Sequence, residues 1–316
     1  MSNSIRIRSP QNYLYDLPEL FEVMRQQEDT TYTCPDYLSD EFQQKQATEI
    51  SNNPNLFFPS GMSSSSSTSS CTGINEIWRE KICEWCYQVV DHFDFNRQVV
   101  AIALNYLDRY LALRPVNRKI FQLAAMTCLF IAIKMNESKV LSLSAFLSLS
   151  RGYFQAEHVL AMEHAVLRAL SWKVNPPTPI IQAKYLLFIL PKNVQRKAEI
   201  LEITRFLTEI SVCDYFFVPH KPSTIAIAAL LTAFDTVGSS VMPSDTRHFF
   251  AKRTYELTGL DCFAKEVQDC VLRMKHSFQQ SGFSLGTFAV PVPGEKDRSE
   301  NGGASPVSTA ANLQNP

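Results

Sequence analysis

Apolar and polar positions recur with the period of an α-helix through most of residues 74–280. Residues 121–133 are the extreme case, because Gln122 and Thr127 are the only polar residues in the run. A helix that is apolar on every face must be surrounded by other helices, and this run is shorter than the ~20 residues that cross a bilayer. Residues 222–234 are nearly as apolar. The sequence therefore predicts two buried central helices.

Amphipathic stretches flank both central helices and predict further helices around them. These stretches are 78–89, 99–111 and 155–170 in the first half, and 180–190, 198–212, 245–258 and 261–278 in the second. Residues 140–150 alternate partly with serine, so a short strand is an alternative there, although the helical neighbours favour a helix. Ser223 is a candidate N-cap of the second central helix.

The ends of the chain and one internal stretch have a different character. Residues 1–50 are mixed, with a short amphipathic helix predicted over Pro18–Glu28, whose proline would open it. Residues 51–73 are rich in Ser, Asn and Pro and are predicted to be a disordered insert, and residues 281–316 a disordered tail. Residues 74–280, between the insert and the tail, are predicted to form an all-α fold of two tandem five-helix domains, 74–175 and 176–280.

The bulk composition excludes several classes of protein. The 316 residues carry a net charge of −1, which provides no general attraction to nucleic acid or to an anionic membrane. The N-terminus lacks the apolar core of a secretion signal, so we expect an intracellular, reducing environment. The sequence also predicts no cofactor.

Cys83 and Cys86 form a C-x-x-C motif, the strongest hint of metal or redox chemistry among the eight cysteines. A zinc site would need a second ligand pair, and a redox pair would need a preceding strand, whereas the local pattern is helical. We therefore predict no metal site.

A helical enzyme would need a convergent nucleophile or paired acids, and a helical-repeat scaffold would need at least three shorter repeats. The sequence favours neither class.

Four stretches, in order and at characteristic spacing, resemble the signature stretches of a cyclin box. They are Trp78–Trp85, Leu104–Leu111, Phe130–Glu137 and Met162–Trp172. Residues 214–226 resemble the start of the third helix of a cyclin C-terminal domain, so the resemblance covers about residues 74–280. Residues 103–109 and 132–137 are similar to the D-type, G1-phase branch, although the Leu-x-Cys-x-Glu motif common in that branch is absent.

The resemblance implies two cyclin-fold domains and a regulatory role without catalysis. The chain would bind and activate a cyclin-dependent protein kinase, a serine/threonine kinase, and control cell-cycle progression at G1/S. Expected locations are the nucleus and the cytoplasm, with neither nucleic acid nor membrane as a partner. The alternative is a transcription-associated cyclin-fold protein, either a kinase partner or a general factor.

Lys134 and Glu163 are the residues that the resemblance assigns to kinase binding. Lysine offers three donors and glutamate only acceptors, so together they can hold the backbone of a partner's loop. The alternative is an ordinary intramolecular ion pair. Further contacts implied by the resemblance are His164, Trp172 and Val174. Two more residues, Phe130 and Ile133, are candidates either for contact or for the core.

The resemblance implies two other sets of residues, and serine–proline dipeptides suggest a third. Arg79 and Asp108 would form a buried ion pair between the first two helices of the box, a structural role. A surface groove would hold Arg-x-Leu substrates or inhibitors, unless the first helix simply packs inward. Its residues would be Trp78, Ile82, Trp85, Gln88, Phe121 and Gln122. Ser9 and Ser305, each followed by proline, are possible phosphorylation sites.

Overall fold

The computed structural model describes residues 10–52, 74–114 and 116–281, and this part of the chain contains helices and no strand. In chain order the helices are α1 (Pro10–Thr30), α2 (Asp40–Asn52), α3 (Glu76–His92), α4 (Gln98–Leu113), α5 (Arg118–Asn136), α6 (Leu143–Ser148), α7 (Ala156–Ala169), α8 (Pro179–Leu187), α9 (Lys197–Cys213), α10 (Pro222–Val237), α11 (Ser244–Thr258) and α12 (Lys265–Gln280). The predicted all-α fold is confirmed.

The first domain consists of α3–α7 arranged around α5. Every residue of α5 from Leu123 to Ile133 is buried, and α3, α4 and α7 contribute to the same core. Thr127, the polar residue at the centre of α5, donates its hydroxyl to the carbonyl of Leu123 at 2.8 Å. The core therefore accommodates this side chain without leaving its hydroxyl unpaired.

The central helix is longer than the apolar run suggested. With 19 residues, α5 meets the length and composition of a membrane-crossing helix, and 72% of the window that does so is buried inside the protein. Burial of this kind is typical of a helix wrapped by its own domain.

The second domain repeats this plan, with α8–α12 arranged around α10. Residues 223–230 of α10 are all buried. The helix begins at Pro222, with Lys221 in extended backbone at the N-cap position. The prediction of Ser223 as the cap is therefore wrong. Proline is preorganised for the first helical position, so the helix starts two residues earlier than a Ser223 cap would imply, and Ser223 lies inside its first turn.

The N-terminal region bridges the two domains. The side chains of Leu17, Phe21 and Met24 on α1 belong to the core of the second domain. Arg25 donates to the carbonyl of Thr258 at 3.1 Å, at the end of α11. The chain then crosses to the first domain, where Tyr37 joins the core.

The short-range predictions differ from the structure in three places. Helix α1 begins at Pro10 rather than at Pro18, which lies inside it. Helix α2 was not predicted. Residues 143–148 form a helix, so the strand alternative is excluded, and the hydroxyl of Ser142 accepts from the backbone N–H of Ala145 at 3.2 Å as an N-cap.

Some predictions fall on residues that the structure does not describe. Ser9 and Ser305 lie outside the described residues, as do most of the predicted insert 51–73 and all of the predicted tail 281–316 except Ser281. Asn52 ends α2, so the first two residues of the predicted insert are helical.

Candidate docking surfaces

Lys134 and Glu163 lie side by side at the surface of the first domain. Lys134 is in the last turn of α5 and Glu163 is on α7, and the Lys134 Nζ is 2.6 Å from the Glu163 Oε1. The lysine side chain is 46% exposed and the glutamate 15%. The buried run of α5 and the buried residues Val159, Met162 and Val166 of α7 fix both backbones. The two opposite charges are thus held at a fixed position with the ammonium facing solvent.

Large apolar side chains are exposed on the same two helices and just beyond them. Met135 is 60% exposed, Leu160 53% and Trp172 64%. His164 is exposed as well, and Val174 is half-buried against the core. By contrast, Phe130 and Ile133 are buried, so these two residues belong to the core. Met135 was missed because it follows the end of the apolar run of α5, and Leu160 because it lies outside the apolar stripe of α7.

The backbone itself presents Trp172 to solvent. Ser171 and Trp172 both adopt left-handed backbone conformations, with φ of 51° and 60°. Positive φ is uncommon for residues other than glycine and unfavourable for a bulky side chain. Neighbouring contacts hold the segment, since the carbonyl of Val174 accepts from the Tyr106 hydroxyl and that of Lys173 from Arg109 at 2.9 Å.

Arg79 and Asp108 form a buried bidentate pair between α3 and α4. The guanidinium Nε and Nη2 each donate to one carboxylate oxygen at 2.8 Å, and both side chains are almost fully buried. The Tyr37 hydroxyl also donates to Asp108 at 2.8 Å. Burial raises the pKa of Tyr37 well above its usual value, so Tyr37 remains a neutral donor.

The same arginine links the two domains. Its Nη1 donates to the carbonyl of Val212, at the end of α9, at 2.8 Å. Nearby, the Tyr215 hydroxyl donates to Asp36 at 2.8 Å and accepts from the N–H of Leu38 at 2.9 Å. One cluster therefore joins the first domain, the second domain and the segment that follows α1.

The predicted groove residues lie on α3 and at the start of α5. Trp78, Ile82 and Trp85 are half-buried against the first core, and Gln88 is exposed and Gln122 half-buried. Phe121 has no exposed surface, so its assignment to the groove surface is corrected: it faces inward from α5 and packs in the core.

A cation lies over the ring of Trp78. The Arg118 guanidinium carbon lies 5.1 Å from the centre of the Trp78 ring, a distance at which the cation is attracted to the ring face.

Among the described residues, no group of three or more His, Cys, Asp and Glu side chains is arranged to hold a metal ion.

Comparison with known protein families gives two matches along the chain. The family described as "Cyclin, N-terminal domain" matches residues 59–175, and the family described as "Cyclin, C-terminal domain" matches residues 180–285. The two matches together span more than two thirds of the 316 residues.

Similar curated proteins are mitotic and A-type cyclins. Cyclin-A1-2 of Arabidopsis thaliana is 26% identical over 245 residues, which cover 75% of this chain and 50% of the relative. The G2/mitotic-specific cyclin S13-6 of Glycine max is 28% identical over 173 residues, 55% of this chain and 37% of the relative. The chain thus spans half or less of the length of these relatives.

Among solved structures, a viral cyclin from herpesvirus saimiri superposes with a TM-score of 0.52 at 18% identity. The match covers 72% of this chain and 97% of the viral protein. At this level of identity the likeness shows a shared fold.

Proposed function

The chain belongs to the cyclin family, and we propose that it binds and activates a cyclin-dependent protein kinase through the surface around Lys134 and Glu163. Cyclins are regulatory subunits of such kinases and are not enzymes themselves.

The observation that carries the proposal is the rigid ion pair, together with the large apolar side chains that are exposed on α5, on α7 and just beyond α7. An ammonium has three donors, so the 2.6 Å contact with Glu163 leaves donors for the carbonyls of a partner. Met135, Leu160 and Trp172 supply apolar surface of the kind found at the centre of interfaces. Stable interfaces of regulatory complexes commonly bury about 2,000 Å² or more, so the pair would be one anchor within a larger contact.

Activation would follow from selective binding. A kinase alternates between arrangements in which its catalytic groups are aligned or misaligned. A partner shifts that equilibrium only by the difference between its affinities for the two states. A fixed surface on this chain, complementary to the aligned state, would provide that difference.

The test is binding and activation of purified cyclin-dependent kinases by the full chain. Replacing Lys134 and Glu163 together by alanine should weaken binding about 10- to 100-fold, the range expected for an interface anchor. The matched control replaces Arg253 and Glu256, an exposed pair at 2.9 Å on α11 of the second domain. Unchanged binding by the double variant would remove the anchoring role, whereas a wild-type chain that binds no kinase would remove the proposed function.

We also propose that the groove formed by Trp78, Ile82 and Trp85, with Gln88 and Gln122, docks Arg-x-Leu segments. The support is its half-buried apolar character. Trp78→Ala should slow phosphorylation of an Arg-x-Leu substrate by the complex and leave a substrate without that motif unaffected. Ile77→Ala, an exposed neighbour on α3, is the control. Equal rates on the first substrate for wild type and Trp78→Ala would contradict the groove proposal.

Action at G1/S rests on the resemblance of residues 103–109 and 132–137 to the D-type branch. The named relatives are A-type and G2/mitotic cyclins and do not support that branch. The panel of kinases should therefore include G1, mitotic and transcriptional members. Activation of a G1 kinase toward a retinoblastoma-type substrate would support the proposed timing, and activation of a mitotic or transcriptional kinase alone would contradict it.

A further inference from the structure

Two free thiols from different domains lie against each other. The Sγ of Cys83 on α3 is 3.2 Å from the Sγ of Cys213, the last residue of α9. The two cysteines are 130 residues apart in the chain. Cys83 is completely buried and Cys213 is half-buried, so of these two residues only Cys213 has surface open to solvent.

Arg79 holds this pair in position. It lies one turn before Cys83 on α3, and its Nη1 contacts the carbonyls of Val212 at 2.8 Å and of Cys213 at 3.4 Å. The backbone of one cysteine is thus tied to the helix that carries the other. Burial raises the pKa of the Cys83 thiol well above its usual value. The charge of the Arg79 guanidinium acts in the opposite direction and offsets this only in part.

Cys86, the other cysteine of the C-x-x-C motif, is a poor partner for Cys83. Residues three apart on a helix have Cβ atoms about 5–6 Å apart, whereas a disulfide needs about 3.5–4.5 Å. Among the described residues, Cys213 is therefore the better placed partner for Cys83.

We propose that Cys83 and Cys213 form a reversible disulfide between the two domains when the protein meets a hydroperoxide. In the first step the Cys213 sulfur attacks the O–O bond, which breaks to give a sulfenic acid and an alcohol or water. In the second step the Cys83 sulfur attacks the Cys213 sulfur, the S–O bond breaks, and water leaves with the Cys83 proton. The two thiols lose two electrons and two protons, which the hydroperoxide takes up.

The bond would lock the contact between α3 and α9. Closing the sulfur distance from 3.2 Å to about 2.05 Å needs a shift of about an ångström, within reach of side-chain rotation. The new link closes a loop through most of the box and restricts the unfolded chain. Oxidation should therefore raise the melting temperature, and a thiol reductant should restore the original value.

The test uses the full-length chain treated with hydrogen peroxide, then blocked with N-ethylmaleimide and mapped by peptide mass spectrometry. The expected product is a peptide pair joined through Cys83 and Cys213 that has lost two hydrogens and is released by dithiothreitol. Cys86→Ser is the matched control and should still form it. Cys213→Ser should not, and circular dichroism would show whether that variant is folded.

Other products would overturn the proposal. These are a disulfide between Cys83 and Cys86, a disulfide between two molecules, or Cys213 oxidised to sulfinic acid while Cys83 remains a thiol. Absence of reaction at Cys213, at peroxide concentrations that oxidise a free cysteine standard, would overturn it as well. If Cys213→Ser is unfolded, the wild-type peptide map decides alone.

Discussion

Buried carboxylates in this chain are matched by donors at fixed positions. Glu28, at the end of α1, is only 2% exposed. It accepts from the backbone N–H of Ser223 at 3.0 Å, from the Ser223 hydroxyl, and from the Gln182 amide at 3.1 Å. The Ser223 N–H lies in the first turn of α10, where the backbone amides have no carbonyl partner within the helix. Negative charge is favoured at that end of a helix. A residue of α1 thus completes the first turn of the second central helix.

Glu28→Gln should change how stability depends on pH. Burial raises the pKa of Glu28 above its ordinary value of 4.5 despite its hydrogen bonds. The contribution of this group to folding is therefore fully present below pH 4.5 and is lost as pH rises through the higher folded pKa. Urea unfolding at a series of pH values should show wild type losing stability relative to the variant over that interval.

Glu22→Gln, on the exposed face of α1, is the matched control for that series. A stability difference between wild type and Glu28→Gln that stays constant from pH 4 to 8 would contradict the assignment.

Arg79→Ala should be among the most damaging single changes in the first domain. It leaves Asp108 buried without its cation, and removing one partner of a buried pair costs about 3–5 kcal/mol. Arg79→Lys keeps the charge and loses the bidentate geometry, so its loss of stability should be smaller. Urea unfolding at neutral pH measures both, and a loss of less than about 1 kcal/mol for alanine would contradict the expected role.

The sequence indicated some of these residues and not others. Arg79 and Asp108 follow from the family resemblance, because they lie within its signature stretches. Glu28 with Ser223, and Cys83 with Cys213, were not foreseen as partners, since the members of each pair are 195 and 130 residues apart. No periodicity within a segment reports which distant segment it meets.

At the scale of elements, the apolar pattern predicted the long helices and failed on the polar ones. α5 and α10 are recognisable because each contains a long uninterrupted buried run, residues 123–133 and residues 223–230. α2 is not, because its residues are mostly polar; among those whose side chains the structure describes, Phe42 packs against the first core. The early start of α1 was missed because Pro18 reads as a helix opening, although here it lies in the interior.

Asn117→Ala should weaken the start of the central helix. The Asn117 side chain accepts from the N–H of Ile120 at 2.9 Å as the N-cap of α5. Loss of such a cap costs about 1 kcal/mol. Asn117→Ser retains an acceptor and should cost only a few tenths as much. Thermal or urea unfolding would show the difference, and equal stabilities for the two variants would argue against the capping role.

At the scale of the whole molecule, the first helix that the structure describes, α1, belongs to the second domain. The apolar face of α1 packs against the second domain, while the segment that follows joins the first. The two-domain plan could be predicted from the repeated pattern of apolar runs. This crossing could not, since an amphipathic helix does not specify which core it covers.

Phe21→Ala tests that placement. Phe21 is completely buried in the second core, and removal of a buried phenylalanine side chain costs about 3–5 kcal/mol. Val23→Ala, on the exposed side of the same helix at 52% exposure, should change stability by no more than about 0.5 kcal/mol. If the two variants unfold at the same urea concentration, α1 is not an integral part of the second domain.

The crossing also sets an order of events during synthesis. Helix α1 leaves the ribosome before the second domain does, yet it contacts α11 there, whose last residue is Thr258. At roughly 5–20 residues per second, that site is translated on the order of ten to fifty seconds later. Until then the apolar face of α1 lacks its binding site. The nascent chain therefore needs either a chaperone or transient contacts with the part already synthesised to cover that face.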